Sequence, residues 1–171
     1  MPAPGGGRQP LRPLPGRDPA CRLTGLRLGG FRVSAVPTSD SFELPIEIRG
    51  DDIDRLGHVN NVVYLAWIQE AAIAHWRVLA TPEQQTAVAW VVVRHEIDYK
   101  RPARLGDGII ARTWVGAASR NTFERHTEII RAADRKVLVQ ARTLWCPIDP
   151  TTGRPVQVSA DMRARFSVGE G

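Results

Sequence analysis

Only one stretch of this chain repeats its apolar residues at the helical period, and four stretches after it repeat them every second residue. Val62, Leu65, Ile68, Ala72, Trp76 and Leu79 share one helix face. A lone helix with such a stripe has to be covered, and the alternating segments supply a sheet to cover it. Alternation first appears in residues 42–49, where even positions are apolar and Pro45, which cannot donate to a ladder, marks an edge or bulged position. It returns over residues 88–99, with Ala89, Val91, Val93, His95, Ile97 and Tyr99 on one side and Arg94, Glu96 and Asp98 on the other. Three more runs follow, at 109–118, 122–131 and 136–146, the last with Val137, Val139, Ala141, Thr143 and Trp145 on its buried side. The order predicts an α+β chain with one antiparallel sheet packed on one long helix.

Local signals set the ends of these elements. Asn60 or Asn61 is placed to cap the long helix through its side-chain oxygen. Thr81, Pro82, Glu83 and Gln84 have capping-box spacing with Pro at the first helical position, and Ser159 can cap a short helix running through Met162 and Phe166.

Residues 1–40 differ in kind from 41–171. They hold seven prolines and seven glycines, and their six arginines against two aspartates give 6 − 2 = +4 of the total charge of +5. We expect a disordered extension followed by one folded domain. The folded part, with 17 basic and 16 acidic side chains, carries no footprint of a nucleic-acid-binding face. No apolar run approaches the roughly 20 residues of a membrane helix, and the first 30 residues form no apolar signal core, so we expect a cytoplasmic protein that does not engage membranes. Cys21 and Cys146 fit neither a disulfide framework nor a zinc pattern, so no metal is expected. The serine-hydrolase elbow Gly-x-Ser-x-Gly is absent.

The chemistry concentrates between the first strand and the helix. Asp51, Asp52, Asp54, His58, Asn60 and Asn61 crowd a short loop that ends at the helix N-terminus. Such an end presents unpaired N–H groups that can stabilise an oxyanion, while a neighbouring carboxylate can attack a carbonyl or activate water. The loop holds three carboxylates in reach of that part, and the competing role at Asp54 is to cap the loop. His58 can tie the loop to the sheet, and His95 is expected to be a hydrogen-bonded core histidine.

Asp52, Asp54, Gly57, His58, Val59, Asn60, Asn61 and Tyr64, with the later run Tyr99, Arg101, Pro102, Ala103, Leu105, Gly106 and Asp107, resemble the hotdog-fold acyl-CoA thioesterases of the 4-hydroxybenzoyl-CoA thioesterase type. The resemblance covers roughly residues 42–166. It implies a curved antiparallel sheet of about five strands wrapped around one central helix, and hydrolysis of an acyl thioester to free acid and thiol. It places the catalytic carboxylate at Asp54, as nucleophile or general base, with the Asn61 backbone N–H polarising the carbonyl and His58 orienting or moving a proton. Asn60 and Tyr64 join the substrate-binding set. The chain departs from the related plant acyl-carrier-protein thioesterases at Leu56, where they have asparagine.

The resemblance further implies a homodimer or homotetramer with sites at subunit interfaces. Coenzyme A enters only as part of the substrate, and no cofactor is needed. An acyl-carrier protein is the alternative carrier, and a non-catalytic acyl-binding module the alternative function. Phosphates on the carrier call for cations, for which Arg94, Arg101 and Arg120 are candidates along with Lys100 and Arg104.

Overall fold

The computed structural model describes residues 41–119 and 121–166. The 1–40 extension with Cys21, and the candidate cation Arg120, lie outside the described residues. Five strands, β1 (Phe42–Ile46), β2 (Ala89–Tyr99), β3 (Ile109–Ala118), β4 (Phe123–Arg131) and β5 (Val137–Ile148), accompany the helices α1 (Asn61–Leu79), α2 (Pro82–Ala87) and α3 (Ala160–Phe166). The strands form one antiparallel sheet in the order β1-β3-β4-β5-β2. β1 is an edge, one of the two placements that Pro45 allows, and β2 is the other edge.

Partners directly across a ladder share a face, so the register sorts the sheet. Phe42, Thr113, Thr127, Ala141 and Ile97 line up in one row, and Val115, Arg125, Thr143 and His95 in the next. This is the face that meets α1: the Phe42 ring stacks on His75, and the Trp90 ring meets Trp76 edge-on. Ile68, Ala71, Ala111, Ile129, Val139 and Ala141 form the centre of the core. Of the five β5 residues expected on the buried side, Val139, Ala141, Thr143 and Trp145 share this face, whereas a bulge between Ile129 and Ile130 pairs Val137 with Ile130 on the other, where Leu144 and Cys146 are buried too.

Two further expectations needed correction. The buried side of α1 carries Tyr64, Trp67, Ile68, Ala71, Ala72 and His75, while Val62 is 68% exposed. The two largest side chains of the first turns take the sheet side, which rotates the stripe away from Val62. In β2, a bulge lies between Val92 and Arg94. One extra residue in a strand exchanges its two faces. Upstream of it Trp90 and Val92 face the helix and Val91 is 45% exposed, whereas His95 and Ile97 face the helix downstream.

The capping signals hold. Asn60 Oδ1 accepts from the Val62 N–H, Thr81 and Gln84 form a capping box, and Ser159 Oγ accepts from the Met162 N–H. Val158 and Met162 then pack with Val115 and Phe123 in a second cluster at the C-terminal end of α1.

Candidate functional site

The acidic loop is built by its own backbone and carboxylates. Asp52 accepts from the Arg49 N–H through Oδ2 (2.8 Å), and its carbonyl accepts from the Asn60 N–H (2.8 Å). Residues 53 and 59 pair across the loop base, and between them the Asp54 and His58 backbones bond at 2.8 Å. Gly57, at φ 75°, supplies the left-handed residue that this tight return needs. Asp54 Oδ1 accepts from the N–H groups of Leu56 (2.8 Å) and His58 (3.2 Å). The capping role is therefore real, and it fixes the carboxylate while Oδ2 accepts nothing among the described residues.

The other end of the loop is the start of α1. Asn61 is the first helical residue, so its N–H has no acceptor within the helix. The Tyr99 hydroxyl of β2 donates to the Asn61 carbonyl at 3.1 Å. Tyr64 is 2% exposed and its hydroxyl accepts from the Ala103 N–H at 2.8 Å. Burial raises the Tyr64 pKa, an effect the Ala103 bond partly offsets. The Ala103 carbonyl in turn accepts from Val59 (3.0 Å), so the two segments that carry the sequence resemblance are joined directly.

The candidate residues do not all converge. Asp54, His58, Asn60, Asn61 and Tyr64 belong to one loop and helix start. Arg94 pairs with Glu96 at 2.6 Å, and Arg101 donates to the Val137 carbonyl at 3.0 Å. Lys100 bonds Gln140. His95 contacts Thr143 Oγ1 through Nδ1 at 2.9 Å, as a core histidine should, and burial lowers its pKa.

A second constellation lies at the far end of the helix. Trp76, Trp90, Val115, Phe123, Arg125 and Trp145 line a cavity of about 70 Å³. Arg125, 8% exposed, sits among these rings. Its Nη1 donates to His75 Nδ1 (2.9 Å) and to Thr113 Oγ1 (3.2 Å), and no carboxylate among the described residues pairs with it. Since arginine only donates, His75 must offer a lone pair at Nδ1. Burial lowers Arg125 to about 10, still well above neutral pH, so the guanidinium stays charged. The sequence reading passed over Arg125, yet period two from Phe123 through Thr127 to Ile129 places it on the apolar face. That parity was the available signal.

The adjacent acid is committed elsewhere. Glu124 points to the opposite face, where Oε1 meets His126 Nε2 (2.8 Å) and Oε2 meets Arg142 (2.7 Å). Burial works against its ionisation, but the bonds from His126 and Arg142 outweigh that and bring it down to about 2.

A five-stranded antiparallel sheet curved around one long helix, with an acidic loop at the helix start, defines the hotdog class. Within that class the chain belongs to the Thioesterase-like superfamily, whose family model matches residues 48–166. It is 27% identical over 126 residues to the long-chain acyl-CoA thioesterase FadM of Escherichia coli (strain K12), covering 71% of this chain and 93% of FadM. It is 25% identical over 134 residues to a chloroplastic acyl-[acyl-carrier-protein] hydrolase of Cuphea viscosissima, covering 72% of this chain. The match spans only 32% of that plant protein's length. Among solved structures, a thioesterase from Thermus thermophilus, complexed with coenzyme A and Zn, superposes with a TM-score of 0.64 at 24% identity, over 72% of this chain and 90% of the other. Among the described residues no helix is long and apolar enough to cross a membrane.

Proposed function

We propose that this protein hydrolyses acyl-CoA thioesters, with Asp54 as the reacting carboxylate and the Asn61 N–H as the donor to the thioester oxygen. The observation that carries this reading is the clamping of Asp54 by two backbone N–H groups on Oδ1 alone, in a loop that runs directly into the Asn61 amide at the start of α1. Fixed geometry at Oδ2 and a donor for the developing oxyanion are the two requirements of acyl transfer.

As general base, Oδ2 takes a proton from water, and the water oxygen bonds to the thioester carbon. The carbonyl electrons move to the oxygen held by Asn61. When they return, the C–S bond breaks, the thiolate leaves with that electron pair, and the proton held by Asp54 protonates it. As nucleophile, Oδ2 bonds to the carbon itself, expels the thiolate and forms an anhydride that water then cleaves. The His58 ring, half-buried beside Asp54 in the loop, is the candidate to orient the water or carry the proton. Neither route needs a metal or redox cofactor.

The reading includes a cytoplasmic homodimer or homotetramer formed through the free edge of β2. Val91 and Tyr99 on that strand are exposed and give the edge apolar surface to bury. Two-fold pairing of antiparallel strands sets the Trp90 end of one copy beside the Tyr99 end of the other. Each Asp54 loop then works beside the aromatic cavity of its neighbour, with Arg94, Arg101 and Arg120 proposed for the carrier's phosphates. Similarity to the plant hydrolase keeps an acyl-carrier protein as the alternative carrier. A competition between CoA-linked and carrier-linked forms of one acyl group separates the two.

The test is free-thiol release from a panel of short, medium, long and aromatic acyl-CoAs. Asp54→Asn is expected to lower kcat by about 100-fold or more, with an unchanged melting temperature. A folded Asp54→Asn protein with full activity overturns the mechanism. Single turnover in heavy-oxygen water distinguishes the routes, because only the nucleophile leaves label in Asp54.

A further inference from the structure

The cavity at the C-terminal end of α1 is an unusual place for an unneutralised cation. Three of its walls are indole rings and one is a phenyl ring, yet the Arg125 guanidinium lies among them. Burying a charge without a counter-charge is costly, and such groups persist where an opposite charge arrives with a ligand. Nη1 is spent on His75 and Thr113, whereas Nη2 and Nε have no acceptor among the described residues. The one acid lining the cavity, Glu124, is held on the other face by His126 and Arg142. The site is therefore apolar apart from one positive charge that no acid neutralises.

We propose that this cavity receives the acyl group and that Arg125 selects one whose far end carries a carboxylate, so that the preferred substrates are monothioesters of dicarboxylic acids. The proposal rests on the thioesterase reading and on its paired-subunit geometry, because Asn61 and Trp76 of one chain lie fifteen residues, or about 22 Å, apart along α1. The ring walls take the apolar body of the acyl group, and Nη2 and Nε present the paired donors that match a carboxylate. The cavity is small, so the body it is proposed to hold is a short chain or a single ring. Placing the terminal carboxylate there fixes the thioester carbon at the other end, so recognition by Arg125 acts as orientation for attack.

The experiment compares glutaryl-CoA, adipoyl-CoA and a carboxybenzoyl-CoA with butyryl-, hexanoyl- and benzoyl-CoA on the full chain. We expect kcat/KM to favour the carboxylated member of each pair at least about tenfold. The aliphatic and aromatic pairs separately report which body the cavity prefers. Arg125→Met is expected to remove the preference, so that the carboxylated and plain members of each pair are turned over within about twofold of one another. Arg125→Lys, which keeps the charge but loses the fork, should fall between the two and guards against a folding defect in the methionine variant. Binding without turnover gives the independent readout. Glutarate and terephthalate should change the fluorescence of the cavity tryptophans in wild type and in Asp54→Asn, but not in Arg125→Met, and butyrate should change none. Hydrolysis with no carboxylate preference and no effect of Arg125→Met overturns this proposal and leaves the thioesterase reading standing. Arg125-dependent dicarboxylate binding with no thioester hydrolysed overturns the thioesterase reading and leaves the carboxylate site.

Discussion

Glu124 shows how much one side chain can be asked to do on the outer face of the sheet. Its two oxygens are divided between His126 and Arg142, and its pKa falls from the ordinary value of 4.5 to about 2. A folded-state value below the unfolded one means stability that is complete above the unfolded pKa and lost as pH falls through the folded one. The window is therefore pH 4.5 to 2, and the shift bounds the effect at roughly 3 kcal/mol. Denaturant unfolding of wild type and Glu124→Gln across that range should converge at the acid end and diverge above pH 4.5; parallel curves would contradict the assignment. None of this was legible in the sequence, where Glu124 is one charge among five consecutive polar residues. Asp54 was singled out from three loop acids by the family resemblance, and the structure gives its Oδ1 a loop-capping role. Arg125 was hidden by its type: an arginine between Phe123 and Thr127 reads as surface unless parity is followed strictly.

Elements were far easier to read than their faces. The helix was expected to start at Asn60 or Asn61 and does so, because a capping oxygen and an apolar stripe are both local. The cap itself is testable: Asn60→Ala removes the acceptor for the Val62 N–H and should cost about 1 kcal/mol, seen as a lower thermal midpoint. An unchanged midpoint would mean that another group satisfies that amide. Boundaries of β2 to β5 came within two residues, since turns at Gly106 and Gly153 leave strong marks. The orientation of β2 did not, because Trp90, Val91, Val92 and Val93 are apolar on both parities and nothing in them announces a bulge. Val62 failed for a related reason: period alone defines a stripe, and the bulk of Tyr64 and Trp67 decides which side of it meets the sheet.

At the scale of the molecule, the two candidate constellations sit at opposite ends of one helix, and the proposed pairing through β2 is what would make them a single site. Sedimentation equilibrium should give at least twice the 18.9 kDa of one chain. Complementation tests the pairing more sharply. Mixing inactive Asp54→Asn chains with Arg125→Met chains, followed by subunit exchange, gives heterodimers with one intact site and one doubly altered site. Half of the dimers then regain half of their sites, so activity on a carboxylated substrate should return to about a quarter of wild type. No recovery would place both constellations within one chain. The bulge at Val93 bears on this same edge. It falls near the middle of β2, so a second copy related by a two-fold axis brings a matching kink to meet it, while an unrelated strand meets a break in the row of amides. Fibril growth needs a straight, repeating edge to template each new layer. An extra valine thus leaves the strand open to its own twin and closed to endless stacking.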